Sequence, residues 1–137
     1  NLEELWLCYN TLTGSIPNCL GNLTKLATLD LESNQLFGHI PRELGYLENL
    51  EDLELSNNTL TGSIPNSIGN LTKLTILYIY MNKLSGRISR ELDRLVNIED
   101  LALSNNTLTG SIPKRLGNIT NITQLFLDNN QLFGDIP

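Results

Sequence analysis

The chain is poor in the residues that make up an irregular core, a catalytic site or a disulfide framework. Its 137 residues include two Ala, one Val, two Cys and one His, and aromatic residues account for 6%. Ordinary globular cores mix side chains of different sizes to fill irregular gaps, so a core of that kind is not expected. No run of about 18 apolar residues occurs, which excludes a membrane-spanning helix or direct membrane insertion by these residues.

Positive charge is also scarce. Nine Lys and Arg residues stand against 15 Asp and Glu residues, for a net charge of −6. Nucleic-acid binding and attraction to an anionic membrane surface generally need a dense cationic patch, so neither is expected. The chain begins on Asn1 and Leu2 rather than on a basic and then apolar leader, and we expect no signal segment within these residues.

The residues needed for catalysis or metal binding do not occur at the required spacings. His39 has no second His and no Cys at metal-ligand or triad spacing, and no glycine-rich phosphate loop follows a strand. Neighbouring acids such as Glu51 and Asp52 point to opposite faces of a strand, unlike the paired carboxylates of a glycosidase. We therefore predict no enzyme activity, no catalytic residue, no metal site and no cofactor.

What the chain has in abundance is Leu, Ile and Asn, at 29, 12 and 18 residues, arranged in a repeat of 24. Positions 2, 5, 7, 12, 16, 20 and 23 of each unit are Leu or Ile at all 40 sites. The interpretation is one array of five full repeats and one partial repeat: 1–24, 25–48, 49–72, 73–96, 97–120 and 121–137.

Each fixed position predicts a local structure. Leu-x-Leu at positions 5 and 7 indicates a strand of about five residues with one buried face, and stacked coils would place such strands side by side in parallel. Asn at position 10 can satisfy turn backbone with both a donor and an acceptor. Gly at position 14 suits a positive φ, and Gly21, Gly45, Gly69 and Gly117 suggest a left-handed cap closing a short helical turn.

The repeat is specific enough to place the chain beside a known family. The pattern LxxLxLxxNxLxGxIPxxLGxLx, seen at residues 50–72, resembles the 24-residue plant extracellular leucine-rich repeat. The resemblance implies an α/β solenoid: a right-handed superhelix with a parallel concave β-sheet, a short strand near Gly-x-Ile-Pro, and a 3-10 or short helical convex side. It also implies an extracellular or cell-surface location, as in receptor ectodomains.

The family's paired-Cys capping segments do not occur in these residues, so the uncapped end coils would allow end-to-end association. Cys8 and Cys19 fall on opposite sides of one coil, beyond the disulfide limit of about 7 Å between Cα atoms, and we expect them to be unbridged. The Asn-x-Thr sequons predict glycosylation sites at Asn22, Asn57, Asn70, Asn105, Asn118 and Asn121, although the Thr residues could simply suit the turns.

Because the fixed positions build the scaffold, recognition would depend on the outward strand positions 3, 4, 6 and 8. Ten of these 24 sites are acidic and none is basic, which predicts a negative concave face that favours a cationic partner. An alternative is a solvated acidic face that only keeps the array soluble. Trp6, Tyr78, Tyr80 and Phe126 occupy outward sites too, and Trp and Tyr are enriched among interaction hot spots.

Repeat 73–96 departs from the pattern. Ile76 in this repeat is the only Leu or Ile of the chain outside the seven fixed positions. Ser89 and Asp93 stand where the other repeats usually have Pro and Gly. Such departures mark either function or drift. The candidate ligand-contacting residues are Ile76, Tyr78, Tyr80, Met81, Ala102 and Phe126, bordered by Glu54, Asp100 and Asp128, with Trp6 and Asp30 further along.

The resemblance to receptor ectodomains indicates a recognition module that binds a peptide or protein ligand, or a co-receptor, on the concave face. Two alternatives stay open. One is a defence protein that inhibits a pathogen's polygalacturonase, since those inhibitors share the repeat. The other is a repeat scaffold that binds nothing.

Overall fold

The computed structural model describes all residues from 1 to 137 and contains two parallel sheets of six strands each. The twelve strands are numbered β1 to β12 in chain order. The odd-numbered strands form the concave sheet: Glu4–Trp6 (β1), Thr28–Asp30 (β3), Asp52–Glu54 (β5), Ile76–Tyr78 (β7), Asp100–Ala102 (β9) and Gln124–Phe126 (β11). The even-numbered strands form the second sheet: Thr13–Ser15 (β2), Gln35–His39 (β4), Thr59–Gly62 (β6), Lys83–Arg87 (β8), Thr107–Gly110 (β10) and Gln131–Leu132 (β12).

Both sheets follow from stacking one coil on the next. In the concave sheet the middle Leu of each strand pairs with the Leu 24 residues later, as Leu29 does with Leu53 and Leu53 with Leu77. Twenty-seven buried Leu and Ile residues form a single core between the two sheets and the back of the coils. Each full burial contributes roughly 1.5–3 kcal/mol, which no isolated coil could gain. The concave strands have three residues rather than the five expected.

The Asn of position 10 links neighbouring coils through its side chain. The Nδ2 of Asn58 donates to Leu55 O and Ser56 O in its own coil and to Leu31 O in the coil before, at 3.0–3.2 Å. Its Oδ1 accepts the Leu36 N–H at 2.9 Å. The same four bonds recur at Asn34, Asn82, Asn106 and Asn130. One amide thus satisfies backbone groups that burial would otherwise leave unpaired.

The turn after each concave strand uses a left-handed residue that is not Gly. Tyr9, Asn57 and Met81, for example, have φ of 52–54°, as do their equivalents in the other coils. Gly14 and its equivalents have φ of 77–99°, which confirms the prediction for that column. Residue type gives no sign of positive φ at Tyr9 or Met81, whereas Asn57 belongs to a residue type that is enriched in this region.

The convex side carries five 3-10 segments of five residues: Asn18–Asn22, Arg42–Tyr46, Asn66–Asn70, Arg90–Arg94 and Lys114–Asn118. The prediction of a left-handed cap at Gly21, Gly45, Gly69 and Gly117 is wrong, since none of them has positive φ. The first three are needed for close contact instead. A Cβ at Gly21 would come within 2.3 Å of Glu43 O in the next coil.

Burial decreases towards the two ends of the array. Leu53, in the middle, is completely buried, whereas Leu2, Leu12 and Leu125 are 40–43% exposed. Cys8 and Cys19 are free thiols. No helix has the length and apolar character that crossing a membrane would require.

Candidate functional site

The candidate site is the outward face of the concave sheet. Leu53 and Leu55 are fully buried, whereas Glu54 between them is only partly buried, which is the alternation that a strand imposes. In β7 the same holds for Tyr78, which lies between buried Leu77 and Ile79. The outward residues of neighbouring coils therefore form continuous rows across the sheet.

Two tyrosines from one coil lie across this face. The Tyr80 hydroxyl donates to Glu32 Oε1 at 3.2 Å, although the two residues are 48 positions, or two coils, apart. The Tyr78 hydroxyl donates to Asp100 Oδ2 at 3.3 Å in the opposite direction along the array. Their ring centroids are 6.1 Å apart. The tyrosines are thus held by carboxylates on both sides while their rings stay only half-buried.

Carboxylates concentrate beside the tyrosines. The acidic cluster consists of Asp30, Glu32, Asp52 and Glu54, and oxygens of Asp30, Glu32 and Glu54 lie within 4.8 Å of one another. Burial and the negative charges of Asp52, Asp30 and Glu32 raise the pKa of Glu54 to about 7. Burial and Asp30 raise the pKa of Asp52 to about 6. The three carboxylates lie close enough together to hold a cation.

Tyrosine ionisation is suppressed by the same environment. Burial, followed by the nearby Glu32 carboxylate, raises the pKa of Tyr80 to about 12. Burial and Asp100 also raise the pKa of Tyr78. Both hydroxyls therefore stay protonated at neutral pH and act as hydrogen-bond donors to the carboxylates.

Several predicted contact residues are available on the surface. Trp6, Met81 and Phe126 are 56%, 52% and 47% exposed, and the Trp6 indole N–H donates to Glu4 Oε2 at 3.0 Å. Asp128 is exposed, and Ile76 and Asp100 are partly buried. Asp128 also accepts hydrogen bonds from the Ser104 hydroxyl and from Asn129 Nδ2.

Two of the predicted contact residues are not available. Asp30 and Ala102 are each only 5% exposed. The Asp30 carboxylate is held within the sheet face, where its Oδ1 accepts the Glu32 N–H at 2.9 Å. Ala102 pairs with Tyr78 in the sheet, and its small side chain lies below the surface of its larger neighbours. An outward strand position therefore does not guarantee access, and Asp30 acts through its charge alone.

Glu32 and Asp52 are among the ten acidic outward sites, but the sequence did not select them, or Tyr9, as ligand-contacting residues. Glu32 connects three residues: it accepts from Tyr80 and from Asn57 Nδ2, and it raises the pKa of Tyr9. The signal that could have identified Glu32 is its place in position 8, the same column as Tyr80. Asp52 has a buried Oδ1 without a hydrogen-bond partner.

The predicted glycosylation sites differ in whether the side-chain nitrogen of the Asn already donates a hydrogen bond. Asn57 and Asn121 use Nδ2 for hydrogen bonds, to Glu32 Oε1 at 3.1 Å and to Val96 O at 3.0 Å. Asn22, Asn70, Asn105 and Asn118 are exposed, and their side chains make no hydrogen bond. The side chains of these four Asn residues are therefore accessible to solvent.

The repeat pattern of the chain also matches a known protein family. A family profile described as "Leucine-rich repeat region" matches residues 2–134. The chain belongs to the leucine-rich repeat family. This assignment agrees with the resemblance that the 24-residue pattern indicated and with the stacked parallel strands.

Several proteins that are similar to this leucine-rich repeat chain are plant receptors. Receptor-like protein 1 of Arabidopsis thaliana is 62% identical over 39 residues, 28% of this chain and 4% of that protein. The ectodomain of the Arabidopsis thaliana receptor kinase GASSHO1/SCHENGEN3, solved with CASPARIAN STRIP INTEGRITY FACTOR 2, is 45% identical with a TM-score of 0.98, covering 100% of this chain and 16% of that one.

A third relative was solved together with its partners. The Arabidopsis receptor kinase HAESA, in complex with the peptide hormone IDA and the co-receptor SERK1, is 38% identical with a TM-score of 0.95. The match covers 98% of this chain and 23% of that one. The leucine-rich repeat chain thus spans less than a quarter of each of these three proteins.

Proposed function

We propose that this array is a peptide-recognition segment of a plant cell-surface receptor and that it binds a cationic ligand on its concave face. The observation that carries the proposal is the tyrosine pair, Tyr78 and Tyr80, held beside the acidic cluster on an open sheet. Support also comes from the receptor ectodomains that share the fold, two of which were solved with ligands. An extracellular location follows from the same proposal.

The chemistry of this face favours a ligand that carries Arg or Lys. A guanidinium can bond two carboxylate oxygens at once and stack on an aromatic ring. Burial and nearby carboxylates raise the pKa of Glu54 to about 7, and burial with Asp30 raises the pKa of Asp52 to about 6. An incoming cation would lower both pKa values, so binding should release protons and strengthen as pH rises from about 5 to 8.

The test uses an array of synthetic 12-residue peptides that differ in charge, probed with the full chain. Bound peptides should be enriched in Arg and Lys beside aromatic residues, and replacing each Arg by citrulline should reduce binding about tenfold or more. Tyr78→Ala combined with Tyr80→Ala should abolish binding, because two ring faces are lost.

A matched control removes two aromatic residues elsewhere. Phe37 and Tyr46 are each 54% exposed, in β4 and in the Arg42–Tyr46 segment, and Phe37→Ala with Tyr46→Ala should leave affinity unchanged. Equal losses for the two double variants, or a preference for acidic or neutral peptides, would contradict the proposal. A scaffold that binds nothing would show no selection at all.

A further inference from the structure

The convex side has a defect between the fourth and fifth coils. At Gly45 and Gly69, an added Cβ would lie 2.5 and 2.2 Å from the backbone oxygen 22 residues later, on Ser67 and Glu91. The fourth coil has Asp93 at this position, and the same offset leads to Arg115. Since Asp93 has a Cβ, the segments Arg90–Arg94 and Lys114–Asn118 cannot approach as closely as the earlier pairs do.

The separation leaves a groove of about 990 Å³ between the two coils. We call it the back groove. The residues that line it include Asn66, Arg87, Arg90, Arg94, Lys114 and Arg115. Apolar as well as polar surface is open to a ligand here.

The back groove concentrates positive charge in an otherwise acidic chain. Five of the nine Lys and Arg residues line it, together with only two carboxylates. Arg115 pairs with Asp93 at 3.7 Å, and Glu91 is engaged by the Ser89 hydroxyl at 2.5 Å. The remaining four cations, Arg87, Arg90, Arg94 and Lys114, form no ion pair.

We propose that the back groove binds an acidic oligosaccharide. Unpaired guanidinium groups are suited to carboxylates, which they bond in a bidentate manner, and the Ser111 hydroxyl with the Asn66 side-chain amide suits sugar hydroxyls. An acidic peptide is the competing ligand, and the test below distinguishes the two. This site is independent of the concave face, so either proposal can fail alone.

The test measures binding of a hexasaccharide of galacturonic acid to the full chain by isothermal titration calorimetry. Saturable binding is expected, weaker at 150 mM than at 50 mM salt because the contacts between guanidinium groups and carboxylates are screened. The fully methyl-esterified hexasaccharide has the same length without charge and should not bind. Stronger binding of a hexaglutamate peptide would overturn the choice of an oligosaccharide.

Two triple variants separate the back groove from general charge. Arg87→Gln, Arg90→Gln and Arg94→Gln, all at exposed residues, should weaken binding at least about tenfold. The matched control Lys25→Gln, Arg42→Gln and Lys73→Gln removes the same charge outside the groove and should change affinity less than about twofold. Equal losses in the two variants would overturn the site.

Asp93→Gly separates shape from charge. The variant removes a negative charge from the back groove, so charge alone predicts tighter binding. It also removes the Cβ that keeps the coils apart, so the back groove should close and binding should weaken. We expect this second effect to dominate and the affinity to fall about fivefold or more. Tighter binding by Asp93→Gly would overturn the role of the separation. Unchanged thermal unfolding of each variant would exclude loss of the fold as the cause.

Discussion

The third coil, residues 49–72, and the fourth coil, residues 73–96, show how much one scaffold can vary. Both bury the same Leu and Ile columns and form the same Asn bonds. They differ on the outward face of the concave sheet. Asp52 and Glu54 of the third coil pair there with Ile76 and Tyr78 of the fourth coil. They also differ at the back, where Pro65 and Gly69 are replaced by Ser89 and Asp93.

The comparison separates residues that hold the array together from residues that make sites. Outward changes leave the stacking intact, because strand side chains on that face do not enter the core. The back change at Asp93 does alter stacking, since its position is a contact between coils. The fourth coil thus contributes to both proposed sites, on the concave face through the tyrosine pair and on the back through the separation.

The largest effect should come from a column that the two coils share. Asn58→Asp and Asn82→Asp would each place a carboxylate against three carbonyl oxygens at a position no more than 9% exposed. We expect each to lower the free energy of unfolding by about 3 kcal/mol or more. Urea unfolding followed by circular dichroism would measure the loss.

Asn10→Asp is the control for this column. Asn10 is exposed, and its Nδ2 donates only to Leu7 O and Cys8 O, both within its own coil. The expected loss is about 1 kcal/mol or less. A loss at Asn82 much smaller than at Asn58 would mean that the fourth coil stacks differently inside as well as at the back.

A second substitution transfers the back feature of the fourth coil to the third. In Gly69→Asp, the new Cβ would meet Glu91 O at 2.2 Å and force the third and fourth coils apart, at a cost of about 2 kcal/mol. Gly117→Asp is the matched control, because its Cβ would meet nothing closer than Pro137 O at 3.8 Å. That control should change the free energy of unfolding by less than about 0.5 kcal/mol.

The third coil also gives the array a pH dependence. Glu54 and Asp52 have pKa values raised in the folded state, to about 7 and about 6, so the folded chain binds more protons than the unfolded chain between pH 4.5 and 7. The contribution of these two groups to the free energy of unfolding is therefore greatest below about pH 4.5. It is lost as the pH rises through 7. We expect a Tm lower by about 2–5 °C at pH 7.5 than at pH 5.

Glu54→Gln should remove most of this difference, because the amide takes the place of the protonated acid without titrating. Glu48→Gln, at an exposed residue outside the acidic cluster, is the control and should leave the pH difference as it is. A Tm that rises between pH 5 and 7.5 would show that the acidic cluster is not what sets the pH dependence.

Regular features of this fold could be predicted from the sequence, whereas contacts that depend on neighbouring coils could not. The Leu-x-Leu columns specify strands and a core because side-chain periodicity is local. Glycine at position 21 has two common causes, a left-handed turn or a close approach, and residue type does not distinguish them. The burial of Asp30 depends on how neighbouring coils pack around it, and its residue type gives no local signal of that burial.

The two sites were predictable to different degrees. Tyr78 and Tyr80 were identified because they stand in outward columns, but the bond from Tyr80 to Glu32 crosses two coils and has no local signal. The back groove was not identified at all. Its cations come from Arg87, Arg90 and Arg94 in one coil and from Lys114 and Arg115 in the next, and Asp93 is needed to expose the space between them.

The smallest effect concerns the other back substitution, Ser89. Its φ of −65° suits proline, and its N–H makes no backbone hydrogen bond, so Ser89→Pro should gain about 0.4–1 kcal/mol from reduced freedom of the unfolded chain. The same change removes the Ser89 hydroxyl, which accepts the Glu91 N–H at 3.2 Å, and the two effects should nearly cancel. Ser89→Ala loses only the hydroxyl and should cost about 1 kcal/mol.

The Ser89 hydrogen bond is also the main cause of the lowered pKa of Glu91, so NMR titration should show that pKa rising in both variants. If Pro proved as damaging as Ala, the proline column of the other coils would have to stabilise them by contacts that the fourth coil cannot make.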